Sequence, residues 1–295
     1  MVRDDFAIFI LANGRPDRLF TVDTLKRKGY TGKYYIILDD EDKTIDGYKK
    51  KFGEEHVVIF SKTEALKKFD IMDNFPERNV IVFARNVCND IARSLGIKYF
   101  AEFEDDYKDF AYRVPDKQVL RAVAVPHSFD DIVNAFVEFV ENVSASQPHF
   151  RTIAFAQSGE MLGGTHGSVW IARVKRKAMN TFFFKVPDNP EDDVKFIGRM
   201  NDDVNTYMND GKTGGIWMQI SDINCNQLLT QQNKGGNTES YKKYGTYVKT
   251  FYSVMAHPSA VKVAILDTPG VKRVHHAINY NYAVPKILNE KWKKS

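Results

Sequence analysis

The stretch at residues 99–110, YFAEFEDDYKDF, decides how the rest of the chain is read. Tyr99, Phe100, Phe103 and Phe110 are aromatic, so the segment from Ile97 to Phe103 has the character of a buried strand. It runs directly into Glu104, Asp105 and Asp106. Three consecutive carboxylates beside a buried strand repel one another where water screens poorly, so the triplet calls for a cation.

Working outward, residues 6–12, FAIFILA, form a continuous apolar run ended by NGRPDR. A run apolar on both faces suits a central parallel strand. From Asp17 to Lys28 the spacing of Leu19, Phe20, Thr24 and Leu25 is helical, and the two glycines of KGYTGK stop it. YYIILDD (34–40) reads as a second strand, GYKKKFG as a short helix and stop, and VVIF (57–60) as a third strand. Val87, Ile91 and Leu95 lie at helical spacing ahead of Gly96, after which the strand at 97–103 begins. Strand alternates with helix over the first 105 residues. The pattern predicts an α/β fold with an open, mostly parallel central sheet flanked by helices, Rossmann-like in its N-terminal half. In such sheets the ligand lies beyond the carboxyl ends of the strands. NGRPDR, DDED (39–42) and EDDY (104–107) all fall there.

The second half is less regular. SFDDIVNAFVEFVENV (128–143) has a capping Ser128 and an amphipathic helical pattern. RTIAFA (151–156) and GSVWIARV (167–174) read as strands around a glycine-rich loop, NDDVNTYMND (201–210) as a helix and GGIWMQIS (214–221) as a strand. ESYKKYGTYVKTFYSVMAHP is helical in pattern as far as Pro258, and VKVAIL (261–266) is strand-like. No Pro/Gly/Ser-rich linker divides the chain, so residues 1–295 are expected to form a single domain.

Composition narrows the class. With 43% hydrophobic and 13% aromatic residues and no low-complexity tract, the chain is expected to be globular. Cys88 and Cys225, read in a helix and a loop, have no CxxC partner, which argues against a disulfide framework and a zinc site and fits a reducing cytoplasm. The N-terminal apolar run is seven residues long with two acids ahead of it, the wrong flank for a signal peptide and too short for a span. A soluble, cytoplasmic protein without a membrane partner is expected. The net charge of +4 is mild and does not imply nucleic acid by itself. The basic runs RVKRKAMN (173–180), VKRVHH (271–276) and KWKKS (291–295) are either solvated faces or contact surfaces.

The acidic motifs carry chemistry. Side chains alternate along an extended chain, so Glu104 and Asp106 can project to one side. A hard divalent ion such as Mg²⁺ or Mn²⁺ takes one or two protein carboxylates and completes its shell with phosphate oxygens and water. The competing reading is a solvated acidic turn. Asp202 and Asp203 at a helix start are either helix caps or a base for an attacking hydroxyl. His257 in MAHPS is either a packed histidine or a metal ligand.

The order of ILANGRPDR, LDDED, VFARN and EFEDDY, then an acid pair opening a helix and a late histidine, resembles the GT-A class of nucleotide-sugar glycosyltransferases, with EDD as its metal-binding DxD-type motif. Within that class the chain is similar to the bacteriophage TET-associated glycosyltransferases, which modify hydroxymethylated pyrimidines in DNA. The resemblance implies a nucleotide-binding half at 1–110 and an acceptor-binding half at 111–295. It implies that Asn13, Gly14 and Arg15 line the base and diphosphate pocket, that Asp39 and Asp40 meet the uracil or ribose, and that Arg85 approaches the diphosphate or sugar. It implies Glu104 and Asp106 as holders of Mn²⁺ or Mg²⁺, Asp105 facing the sugar or ribose, Asp202 or Asp203 as the base, and His257 as a third ligand. The motif begins with Glu rather than Asp, and NDD lacks the usual Glu-Asp order of the base motif.

The implied activity is metal-dependent transfer of a sugar from a nucleotide sugar, a UDP-sugar, to a hydroxyl, that of 5-hydroxymethylcytosine in double-stranded phage DNA, in the host cytoplasm. THGSVWIARVKRK and QQNKGGNTESYKKYGTY offer aromatic, amide and basic side chains for DNA, although a core strand and a surface loop explain them equally. Two other readings are a nucleotidyltransferase, against which stands the glycine-poor NGRPDR, and a non-catalytic nucleotide- or DNA-binding accessory protein, against which stand several acidic sites on one sheet edge.

Overall fold

β1 (Phe6–Leu11) is buried at every position. It turns Phe6, Ile8 and Ile10 to one core and Ala7, Phe9 and Leu11 to the other, which is why its sequence is apolar without alternation. A computed structural model of the chain describes residues 1–125, 128–157, 161, 164–167, 178–228, 237–245, 247–268 and 271–283. The strand expected at 167–174, the basic residues 173–177 and 291–295, and QQNKGG (231–236) lie outside the described residues, apart from Gly167.

After β1 come α1 (Phe20–Arg27), β2 (Lys33–Asp39), α2 (Ile45–Phe52), β3 (Val57–Phe60), α3 (Lys62–Lys68), α4 (Ile81–Ser94) and β4 (Tyr99–Glu104). β3, β2, β1 and β4 are neighbours in that order and all pair in parallel. The expected alternation is therefore present, with α3 as an addition whose cap is Ser61, its hydroxyl accepting the Glu64 N–H.

The chain continues through β5 (Tyr107–Asp116), β6 (Val119–Ala124), α5 (Phe129–Ser146), β7 (Phe150–Gln157), β8 (Phe182–Lys185), α6 (Asp202–Lys212), β9 (Ile216–Gln227), α7 (Asn237–Tyr244) and α8 (Val248–Ala256). The sheet extends from β4 through β8, β7, β9 and β5 to β6. β8 is antiparallel to β4 and β7, β9 parallel to β7, and β5 antiparallel to β9. The nine-stranded sheet is thus parallel in its first half and mixed beyond. A separate antiparallel ribbon pairs β10 (Val261–Thr268) with β11 (Val271–Ile278).

Three local expectations differ from the structure. The hairpin β5–β6 occupies residues whose sequence pattern suggests no element. Cys225 lies in β9 rather than a loop, a buried thiol like Cys88. The helical pattern across ESYKKYGTYVKTF is two helices, because Gly245 adopts φ +84°, and a Cβ there would lie 2.5 Å from the Tyr247 ring.

One core lies between the sheet and α1, α2 and α5, the other beneath α3, α4 and α6. Phe103, the inward residue just before the acidic turn, is fully buried, with ring centroids of Tyr107, Phe110, Phe129, Phe155 and Phe183 within 6.4 Å. The strand end that carries the acids is therefore rigidly packed. Ile8→Val, in the strand beside β4, is expected to cost about 0.5–1.5 kcal/mol, seen as a lower urea midpoint at unchanged slope. Among the described residues no helix is long and apolar enough to cross a membrane.

Candidate functional site

The acidic turn is built by a threonine. From α1, the Thr21 hydroxyl donates to the Glu104 carbonyl (2.5 Å) and accepts the Tyr107 N–H (3.0 Å), while the Thr21 N–H reaches the Asp105 carbonyl (3.3 Å). Thr24 adds a bond to the Tyr107 carbonyl (3.0 Å). These bonds hold the backbone of residues 104–107, so Glu104, Asp105 and Asp106 stay close despite their repulsion. All three border a cleft of about 530 Å³ at the carboxyl ends of β1, β2 and β4.

The three acids have different environments. Asp105 is 1% exposed, and Arg15 clamps it through Nε to Oδ2 (2.5 Å) and Nη2 to Oδ1 (2.8 Å). Asp105, expected to face a sugar or ribose, borders the cleft and is paired there with Arg15. Asp106 has a buried Oδ1 with no hydrogen-bond partner. Burial first, and then the neighbouring Asp105, push its carboxyl up to about 6. Glu104 is pushed up to about 8, chiefly by burial, with Asp106 and Asp202 adding repulsion against the lowering effect of Arg85.

Arg85, expected near a diphosphate, is only 3% exposed and is engaged by protein carboxylates. Its Nη1 donates to Glu102 (3.1 Å) and its Nη2 to Glu104 (3.0 Å). Its Nε makes a close ion pair with Asp202 (2.8 Å) without hydrogen-bond alignment. Glu102, a fourth acid that looks in sequence like an ordinary strand residue, is 2% exposed and raised to about 7 by burial.

The opposite wall begins at Asn201, which is held at φ +54° and donates to the Lys249 carbonyl (2.9 Å) and the Ser253 hydroxyl (3.0 Å) of α8. This places the first residues of α6, Asp202 and Asp203, beside the cleft. Burial raises Asp202 to about 6, against the lowering effect of Arg85. Asp203 accepts the Val204 N–H through one oxygen (2.8 Å). Tyr241 of α7 also lines the cleft; burial first, then Asp202, Asp203 and Glu104, push its hydroxyl well up.

At the ends of β1 and β2, Asn13 donates to Asp39 (2.9 Å), and Lys62 pairs with Asp39 (2.8 Å) and donates to Asn79 (2.9 Å). Asn13, Asp39, Lys62 and Asn79 line the cleft. Gly14 and Asp40 sit behind that layer: the Gly14 N–H bonds Asp42 (2.7 Å), and the exposed Asp40 accepts the Lys62 N–H (2.9 Å).

His257 is not brought to the acids. It caps the end of α8, 5% exposed, with Nε2 2.9 Å from the Asn205 carbonyl, and burial lowers its pKa. The histidines that do line the cleft are His275 and His276 of β11, with Arg273 and Lys249 beside them. In sequence VKRVHH is conspicuous only as a basic run. Its strand pattern, next to the strand-like VKVAIL, is the signal for a ribbon that reaches the site.

The donor set suits a hard divalent ion. Glu104 and Asp106 offer carboxylate oxygens to one cleft, and the buried Oδ1 of Asp106 lacks a partner. Among the described residues no three His, Cys, Asp or Glu side chains are gathered as a metal cage, so an ion held by Glu104 and Asp106 would take its other oxygens from ligand or water.

A family model described as TET-associated glycosyltransferase matches residues 6–236. No curated protein matches the sequence. Among solved structures, glucosyl-3-phosphoglycerate synthase from Mycobacterium tuberculosis with Mn²⁺ and UDP-glucose is 10% identical, covering 92% of this chain and 86% of its own, at a TM-score of 0.46. A Pyrobaculum calidifontis mannosyltransferase with GDP-mannose and Mn²⁺ is 10% identical over 86% of this chain and 74% of its own, at a TM-score of 0.43.

Proposed function

As the chain belongs to the TET-associated glycosyltransferase family, we propose that it moves a sugar from a UDP-sugar to a hydroxyl, and that this hydroxyl belongs to 5-hydroxymethylcytosine in double-stranded DNA. The observation that carries the reading is the opening of Glu104 and Asp106 into the same cleft as Asp202 and Asp203, at the parallel strand ends where nucleotides bind.

Residues 1–110 form the donor half in this reading. Asn13, Asp39, Lys62 and Asn79 offer a mixed set of donors and acceptors to a base and ribose, and Gly14 and Asp40 support them from behind. Arg15 keeps Asp105 neutralised, so the clamped middle acid adds no charge to the donor side. Glu104 and Asp106 are the residues that would hold Mn²⁺ or Mg²⁺, which when bound would neutralise charge on the departing diphosphate.

Residues 111–295 form the acceptor half. Asp203 takes the proton of the attacking hydroxyl, because Asp202 is tied to Arg85 while Asp203 is partly exposed in the cleft. Lys249 and Arg273 at the cleft favour a polyanionic acceptor. A base inside a duplex has to be reached in the groove or turned out of the stack, which costs a few kcal/mol.

Incubation with a panel of UDP-sugars and hydroxymethylcytosine DNA, with Mn²⁺ or with EDTA, tests the reading by nucleoside mass after digestion. The expected result is a gain of one sugar that disappears with EDTA. Turnover of a small-molecule acceptor alone, with little sensitivity to salt, would replace the DNA acceptor and leave the transferase reading in place.

A further inference from the structure

We propose that Arg85 is a positioning residue that ties Glu104 on β4 to Asp202 on α6, so that one buried guanidinium sets the cation side and the acceptor side of the cleft together. The inference rests on the metal-dependent reading of that cleft.

The three contacts use three different nitrogens of one rigid plane: Nη1 to Glu102 Oε2 (3.1 Å), Nη2 to Glu104 Oε1 (3.0 Å) and Nε to Asp202 Oδ2 (2.8 Å). The guanidinium directs hydrogen bonds to Glu102 and Glu104 and holds Asp202 as a close ion pair, whereas an ammonium is a point charge without a fixed fork. The plane is itself held. The guanidinium carbon lies 5.2 Å from the Phe182 ring centroid and 5.3 Å from that of Phe196, and Glu102 anchors it from the core side with both side chains 2% exposed. Reaching out to a diphosphate would break all three ion pairs. One cation against three carboxylates also leaves an excess of negative charge facing the cleft, which a divalent ion on Glu104 and Asp106 offsets.

The arrangement makes a specific claim about coupling. Asp202 draws on the guanidinium that also restrains Glu104. Removing the Asp202 charge lets Arg85 bind Glu104 more strongly and competes with the divalent ion. Outer-shell partners of this kind change metal affinity by about tenfold or more when altered.

The test is a double-mutant cycle on Mn²⁺ affinity, read by the electron paramagnetic resonance signal of free Mn²⁺ on the full chain without donor. Asp202→Asn is expected to weaken Mn²⁺ binding about tenfold in the native background and less than about twofold in an Arg85→Gln background. Equal weakening in both backgrounds means that Asp202 acts on the ion directly, and overturns the inference alone. A wild-type protein that binds no Mn²⁺ overturns the reading of the cleft and this inference with it. Should Arg85→Gln fail to fold, Arg85→Met, which also removes the cation shared by Glu104 and Asp202, takes its place in the cycle with the same two outcomes. Steady-state kinetics of Glu102→Gln, whose side chain lies behind the guanidinium, give an independent readout. A fall in kcat of about tenfold at unchanged donor KM supports positioning, and an unchanged kcat overturns it.

Discussion

Asp106→Asn is expected to lower kcat by on the order of 10³-fold while raising the melting temperature of the metal-free protein. The two effects have one origin. The Oδ1 of Asp106 is buried without a hydrogen-bond partner, and burial together with Asp105 holds its carboxyl at about 6. In the metal-free fold its negative charge is therefore a cost, which an amide of nearly the same shape relieves. The same charge is half of the protein's contribution to a divalent ion, and several kcal/mol of transition-state stabilisation go with it. Relief of about 1 kcal/mol corresponds to about 2–4 °C in a domain of this size class. Calorimetry in EDTA and steady-state kinetics in Mn²⁺ measure both. Activity within tenfold of the native enzyme would remove Asp106 from the metal site. A lower melting temperature would show that its charge is satisfied without metal and that repulsion does not govern the turn. Asp105→Asn serves as the contrast: Asp105 accepts two hydrogen bonds from the Arg15 guanidinium, so removing its charge weakens a buried ion pair and destabilises the fold.

The position of the site is legible in the sequence because it follows from local signals. An apolar run without alternation, FAIFILA, and a strand ending in EDD both report on strands buried on two faces, and the sheet's carboxyl edge then collects whatever polar residues follow them. Alternation along an extended chain predicts Glu104 and Asp106 on one side, but β4 ends at Glu104 and residues 105–106 form the turn into β5, so the bonds from Thr21 and not the strand period set their backbone. The partner of each polar group is not legible in the same way. Arg15 and Asp105 are ninety residues apart in sequence, and Arg85 meets three acids from two other elements. Pairings of that kind depend on tertiary packing, and they give Arg85 and Asp105, both at the cleft, ion-pair partners that no local pattern announces. His257 and His275/His276 show the same limit. A histidine just after a helix and a pair in a basic run look alike in sequence, and only the folding of β11 against α8 brings the second to the cleft. Thr21 is equally silent, because a threonine inside a helix has no local signature for the carbonyl it bonds 83 residues away.

The stability of the metal-free protein is expected to fall as pH rises from about 5 to about 8, and Mn²⁺ is expected to abolish that fall. Five buried carboxylates titrate upward in the fold: Glu104 to about 8, Glu102 to about 7, Asp106 and Asp202 to about 6, and Asp105 in the same direction. Burial is the first cause in each. Unfolded carboxyls ionise near 4, so between about pH 4.5 and 8 the folded protein holds protons that the unfolded chain has released. The unfolded state then binds fewer protons than the native one, and stability declines with pH through that window and levels off above it. Carboxylates held low by their partners, such as Asp5 and Glu141 beside Arg3, act in the opposite direction below the window, and His257, lowered by burial, opposes the fall within its lower part as a single group. The combined loss is on the order of a few kcal/mol, since a tenfold change in proton affinity corresponds to about 1.4 kcal/mol and these groups share their protons. A divalent ion requires the ionised acids, so its affinity and its stabilisation both grow with pH. Urea unfolding at pH 5, 6.5 and 8, each in EDTA and in Mn²⁺, gives two curves that diverge with pH. A metal-free stability that rises over this range would mean that Arg85 and Arg15 already balance the cluster, and the acidic turn would then need no bound ion to stay folded.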